Sequence, residues 1–296
     1  MVPGEQLSVW FPCYSPEVSR KGTIMRSILL HIQEDDCLEA RLQAALDLAR
    51  QSNGHVTCLQ VVPHEMVIAG EFYGTITTPM AAEHQQNAKA LQDRMERRLS
   101  AEDVNWEWIR TDGMAATHLA HHAAIHDLVI MGAKNPAGKA DSPSTLVSEL
   151  VAQVRAPILV TPATMTSFSL TSPVAVAWNG SAEGAHALRA ATPLLSRASS
   201  IHIFSVREEK DADRFHLPST DAAKYLSRYG IEAEIIELTA EAGTSIAQTL
   251  LGAAEMHKAS YLVMGAYGRS RFLEWILGGV TREILMDPAI PLLLSH

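Results

Sequence analysis

Short apolar runs without polar alternation punctuate this chain, and stretches with helical periodicity separate them. SILLHIQ (27–33), HVTCLQVV (55–62), DLVIMGA (127–133) and APILV (156–160) form one series. PVAVAWN (173–179), SIHIFSV (200–206), SYLVMGA (260–266) and IPLLL (290–294) form another. Runs of this length, rich in β-branched residues and apolar at successive positions, suit strands covered on both faces, as in a parallel sheet. A weaker third strand is expected near Trp106–Arg110 and again near Ala233–Leu238. Helical patterns fall near Asp36–Gln51, Glu83–Ser100, Ala115–His126 and Ser144–Val154, with counterparts later in the chain.

The two series are a repeat. AALDLA (44–49) aligns without a gap to AATPLL (190–195), and the spacing from Gly132 to Pro157, 25 positions, is nearly that from Gly265 to Pro291, 26 positions. Strands alternating with helices in each copy predict an α/β fold of two tandem units, each a five-stranded parallel doubly wound sheet. The expected organisation is an N-terminal extension, 1–24, a first domain, 25–162, a linker, 163–172, and a second domain, 173–296. The linker lies in PATMTSFSLTSP (162–173), whose Thr, Ser and Pro content disfavours a continued helix or a central strand. The segments from Pro63 to Ala90 and from Arg207 to Tyr225 read as long connections, each a lid, an interface loop or a mobile link.

After YLVM the second copy continues GAYGRSRFLEWILGGVTREIL (265–285). Two residues separate Gly265 from Gly268, and nine separate Gly268 from Gly278. Glycines let backbone N–H groups approach an anion, and a helix starting near Gly279 or Val280 would aim its free amides and positive dipole end at that anion. A phosphate group fits such a loop, which at the carboxyl end of a strand in an open α/β sheet borders the ligand crevice. The plainer alternative is that the glycines only cap a helix and permit a turn.

The order of apolar strand, MGAYG, nine residues, GGVT, helix and Pro-containing apolar strand resembles the ATP-binding signature of universal stress proteins. VAVAWNGSAEGAHALRAA (174–191) resembles the opening of the same family, and the repeat as a whole, from about residue 24 to 296, is similar to a tandem universal stress protein. The resemblance implies Rossmann-like domains of the adenine nucleotide alpha hydrolase type and ATP, or ADP or AMP, as ligand, with or without a divalent metal. Carried over by position, Met264, Gly265 and Gly268 would lie against ribose and phosphates. Gly278, Gly279 and Val280 would offer backbone amides to the phosphates, with the Thr281 hydroxyl nearby. Asn179 stands where the family usually has aspartate, beside adenine and ribose, and asparagine lacks the charge-assisted acceptor. Gly279 stands where the family often has Ser or Thr. The resemblance also implies that APILV and IPLLL face each other within one chain; an intermolecular homodimer is left open.

The first copy has lost most of this pattern. Its loop, GAKNPAGKADSPSTLVSEL (132–150), keeps Gly132, places Asn135 at the second glycine and Ser144 with Thr145 at the glycine pair, and Gln33 replaces Asn179. A Ser-Thr helix start caps itself or holds an anion, and Lys134 and Lys139 add charge. The expectation is a structural partner whose nucleotide site is degenerate.

Composition narrows the function further. The chain has 296 residues, 47% hydrophobic and 19% charged, with 33 acidic against 24 basic residues for a formal charge of −9. That balance opposes long-range attraction to a phosphate backbone, so no nucleic-acid partner is expected. No run approaches the roughly 18 apolar residues that cross a bilayer, so no membrane span is expected. The N-terminus lacks a basic segment followed by an apolar run, and a cytoplasmic location is expected. Cys13, Cys37 and Cys58 lack CxxC spacing and read as reduced thiols. His118, His121, His122 and His126 share one helix, and three of them recur at i, i+4; they form either a polar face or a metal-binding stripe. No GxxxxGK[ST], GxSxG, HRD or DFG set is present, so binding is expected rather than dedicated catalysis, with weak ATP hydrolysis at most. Arg269 and Arg271 would then stabilise phosphate charge or merely solvate the loop, and Trp275 would pack with Phe272 and Ile276. Use of nucleotide occupancy to bias shape or protein partners is the expected role; a nucleotide-free interaction scaffold is the alternative.

Overall fold

A computed structural model describes residues 25–63, 78–134, 144–207, 217–241, 243–266 and 279–296. The first half runs β1 (Ser27–Ile32), α1 (Leu38–Ser52), β2 (His55–Val62), α2 (Thr78–Leu99), β3 (Asn105–Asp112), α3 (Ala115–Ala123), β4 (Leu128–Gly132), α4 (Thr145–Gln153) and β5 (Ile158–Thr161). The second runs β6 (Val174–Ala177), α5 (Ala182–Leu195), β7 (Ile201–Arg207), α6 (Ser219–Ser227), β8 (Glu234–Thr239), α7 (Ile246–Met256), β9 (Leu262–Gly265), α8 (Gly279–Met286) and β10 (Leu292–Ser295). The expected strands and helices are present with ends moved by a few residues. Two expectations change. Residues 78–82, ahead of the helix expected from Glu83, open α2, where Pro79 sits in the first turn that tolerates it. Residues 219–225, read as part of the other long connection, lie in α6.

Each half arranges its strands in the order 3-2-1-4-5, and the two sheets do not stand apart. They fuse into one ten-stranded sheet, β3-β2-β1-β4-β5-β10-β9-β6-β7-β8. Pairing within each half is parallel. At the junction β5 and β10 pair antiparallel, with Leu292 opposite Val160, Leu293 opposite Leu159 and Leu294 opposite Ile158. APILV and IPLLL therefore face each other within the chain. Because this pair is antiparallel, the strands of the two halves point opposite ways, and their carboxyl-end crevices open at opposite ends of the sheet.

Successive residues of the inner strands are buried on alternate faces, which explains why their sequences are mostly apolar without alternation. Ile28 and Leu30 face one cluster with Leu42 and Leu46 of α1, Met95 of α2, Leu188 of α5 and Leu226 of α6. Leu29 faces the other, with Leu119 of α3, Val147 of α4, Leu250 of α7 and Ile284 of α8. Both clusters run through both halves. The outer strands β3 and β8 are half-exposed and carry Glu107, Arg110, Glu234 and Glu237, charges that discourage a further strand from adding.

The Thr/Ser/Pro stretch lies outside helix and strand, as its composition predicts, yet it is held firmly on α1. The Gln51 amide acts like a strand edge: its Oε1 accepts the Leu170 N–H at 2.8 Å and its Nε2 donates to the Phe168 carbonyl at 3.0 Å. Asp47 accepts the Phe168 N–H at 2.8 Å. Phe168 and Leu170 are buried, Phe168 against Tyr261 of the second half. A single calorimetric transition for the whole chain is expected. Leu293→Ala should lower stability by about 2–5 kcal/mol, the usual cost of truncating a buried leucine, and hydrogen exchange should then show both halves opening together rather than the second alone.

Candidate functional site

In a 3-2-1-4-5 sheet the chain turns away in opposite directions after strands 1 and 4, leaving a crevice between their carboxyl ends. In the second half these are the ends of β6 and β9, where Asn179 and Gly265 stand. Asn179 is exposed, and its Oδ1 accepts the Ser181 N–H at 3.1 Å. Ser181 in turn caps α5, its Oγ accepting the Gly184 N–H at 3.1 Å. Gly265 closes β9 directly against this helix start. A Cβ on Gly265 would lie 2.5 Å from the Glu183 carbonyl carbon and 2.6 Å from the Gly184 nitrogen, so backbone meets backbone and only glycine fits.

The α8 helix begins at Gly279, and its first turn reaches the same strand end. Thr281 is buried, and its hydroxyl donates to the Gly265 carbonyl at 3.5 Å, tying the helix start to the strand end. Val280 is half-buried against the core, and Met264 is buried within it, so these two offer main chain rather than side chain. Of the residues proposed from the sequence, Asn179, Met264, Gly265, Gly279, Val280 and Thr281 thus gather around one strand end; Gly268 and Gly278 lie outside the described residues, as do Arg269, Arg271 and Trp275. Among the described residues a Cβ on Gly279 would meet nothing within 4 Å. Two helix N-termini, α5 and α8, converge on Gly265, a polarity that favours an anion.

The first half treats the same place differently. Ser144 caps α4 by accepting the Val147 N–H at 3.3 Å, so the Ser-Thr start uses its hydroxyl on itself. Over Gly132 lies the side chain of Arg41, which is 1% exposed. Its Nη1 donates to both oxygens of Asp35 at 2.9 and 2.8 Å, and its Nη2 donates to the Gln33 carbonyl at 2.6 Å. Beside this pair His31 is buried on β1, and burial first, then the Arg41 charge, lowers its pKa from 6.5 to about 3. Arg41, Asp35 and His31 were not singled out from sequence. The signal was available: the alignment of AALDLA with AATPLL places Arg41 opposite Ala187, a charge among small residues on the inner face of a helix.

The histidine cluster does not converge, and because α3 ends at Ala123, His126 lies beyond the helix expected to carry all four. His118 accepts from the Thr111 hydroxyl at Nδ1 and donates from Nε2 to the Asp112 carbonyl, and His126 Nδ1 donates to the His122 carbonyl. Burial, then the neighbouring imidazoles, hold His122 below the ordinary histidine range. Among the described residues no group of three or more His, Cys, Asp or Glu side chains is placed to hold a metal, and Cys37 and Cys58 are free and buried.

Residues 171–296 match the family model for the universal stress protein family. The C-terminal half is a universal stress protein domain. The N-terminal half repeats its fold, so the chain is a tandem of that fold. A solved universal stress protein from Archaeoglobus fulgidus DSM 4304 matches with a TM-score of 0.69 at 17% identity, covering 90% of this chain and 97% of that one. A functionally unknown protein from Pseudomonas aeruginosa PAO1 matches with a TM-score of 0.54 at 17% identity, with 92% of each chain covered. At such identity these structures speak to fold alone. No curated protein matches the chain. Among the described residues no helix is long and apolar enough to cross a membrane.

Two measurements follow. Gly265→Ala should destabilise the fold by about 1–3 kcal/mol through overpacking, whereas Gly279→Ala should change it by less than about 0.5 kcal/mol, both read by urea unfolding. His31 is neutral when folded and binds a proton near pH 6.5 when unfolded. Its contribution is therefore intact above pH 6.5 and is lost as pH falls toward 3, at up to about 1.4 kcal/mol per pH unit. His31→Gln should flatten the stability profile between pH 6.5 and 5, a range above most carboxylate titrations.

Proposed function

We propose that the chain binds an adenine nucleotide in its C-terminal half, ATP in the first instance with ADP or AMP as alternatives, and that occupancy biases its shape or its protein partners in a stress response. The observation that carries this reading is the meeting of two helix N-termini at Gly265, with Asn179 on one side and Thr281 on the other. Phosphates would be held by main-chain amides of the 265–280 loop, and Asn179 would orient the nucleoside through its side-chain amide. A divalent ion, if one takes part, would come as a companion of the phosphates. Binding rather than turnover is the proposed activity, in the cytoplasm.

One observation favours the competing reading, a nucleotide-free pseudo-dimer that recruits protein partners. Asn179 Oδ1 is engaged by the Ser181 N–H, which reduces what it can offer a ribose hydroxyl. The readings separate on the purified full-length protein. Acid extraction should release ATP, ADP or AMP, and added ATP should raise the melting temperature. Gly278→Val should abolish that rise, and Asn179→Asp, which restores a charged acceptor, should tighten binding about tenfold, equivalent to about 1.4 kcal/mol. No extracted nucleotide and no thermal shift would give preference to the scaffold.

A further inference from the structure

The offset of 146 positions that lays AALDLA on AATPLL also sets Asp35 opposite Ser181, Arg41 opposite Ala187 and Gln33 opposite Asn179. The strand pairing agrees: Leu29 lies opposite Val129 in the first half, and Ala175 lies opposite Leu262 in the second. The two crevices can therefore be compared residue by residue. We propose that Arg41, held by Asp35, is an internal plug that occupies the first crevice and makes that half refuse the ligand the second half takes. The identity of that ligand rests on the nucleotide reading above; the closure does not.

The guanidinium bridges the two walls between which a ligand would lie. Nη2 donates to the carbonyl of Gln33 at the end of β1. Nη1 stands 2.4 Å from where a Cβ on Gly132 would be, at the end of β4. Cys37 crowds the same point, its Cβ at 2.6 Å and its Sγ at 3.3 Å. In the second half the corresponding side chain, Ala187, is a buried methyl group that cannot reach across, and Gly265 meets the α5 main chain instead.

Charge reinforces the steric closure. Asp35 is nearly buried, with its side chain 7% exposed, and takes both hydrogen bonds of Nη1. The cation is thus neutralised from within, and an approaching polyphosphate would face a carboxylate where the second half presents a serine hydroxyl. Among the described residues Arg41 Nε is buried without a hydrogen-bond partner. Such an orphan is expected of a side chain drawn in to fill and bridge a gap, not of one placed for complete polar matching. His31, kept neutral beside it, adds no second charge that the single carboxylate would have to balance.

Two experiments on the full chain test this. The plug is transplanted as S181D/A187R, and ATP is titrated by calorimetry: at least tenfold weaker binding than wild type is expected, and unchanged affinity overturns the plug. In the reverse direction, D35S/R41A is made in a Cys13→Ser background, and labelling by a small aromatic disulfide is mapped by peptide mass. Cys37 should label at least tenfold faster than in the same background with the pair intact, while Cys58, buried in the core, stays protected. An unchanged Cys37 rate, or Cys37 and Cys58 rising together through general loosening, overturns it. Should wild type bind no ATP, the nucleotide reading fails, and the labelling result alone upholds or removes the closure.

Discussion

Three residue pairs, Val160 with Leu292, Leu159 with Leu293 and Ile158 with Leu294, govern the arrangement of everything else in the molecule. Each half taken alone would present β5 or β10 as an unpaired apolar edge, the kind of edge that invites association. Joining those edges within one chain removes both. The antiparallel sense of the joint then reverses the second half relative to the first. The crevices consequently lie at opposite ends of one sheet, too far apart to share a ligand, and each has been free to diverge. The clip formed by Gln51 and Asp47 on Phe168 and Leu170 seats the connecting segment into the shared core, so the joint and the connection stiffen each other.

The divergence is concentrated where the chain passes from strand to helix. Both halves keep glycine at the end of the fourth strand, Gly132 and Gly265, because in both something lies well inside van der Waals contact of a would-be Cβ. In the second half that something is the main chain of α5, which leaves amide groups and helix dipoles facing the crevice. In the first it is a guanidinium with its own carboxylate. Burying such a pair is costly, and it repays that cost only where the geometry is good and the hydrogen bonds are made. Arg41 meets that condition at its terminal nitrogens and fails it at Nε. Removing one partner alone would leave an uncompensated buried charge, which is why the two residues are best regarded as one unit.

The architecture was largely legible in the sequence, for a physical reason: parallel strands buried on both faces have few polar positions, so SILLHI, LVIMG and LVMG stand out from the amphipathic helices between them. The facing of APILV and IPLLL came from family resemblance, and the fusion of two sheets into one follows from it. The start of α2 was obscured because Thr78-Pro79 reads as a turn when it is also a permitted helix opening. At the candidate site, the glycines marked the end of the fourth strand in each half. What replaces a lost glycine pattern was not legible from the loop, since a plug need not come from the loop; it comes from α1, where Arg41 looks like one more charged residue until its register against Ala187 is drawn. Fold similarity at 17% identity adds the shape and no chemistry.

We propose that the two copies of one fold differ in their crevices, one taking an anion and one closed by its own ion pair. Calorimetric stoichiometry of ATP binding to the full-length chain tests it most directly. One nucleotide per chain is expected, with hydrogen-exchange protection appearing at the ends of β6 and β9 and absent from those of β1 and β4. Two nucleotides per chain, or one whose protection falls on β1 and β4, would contradict it.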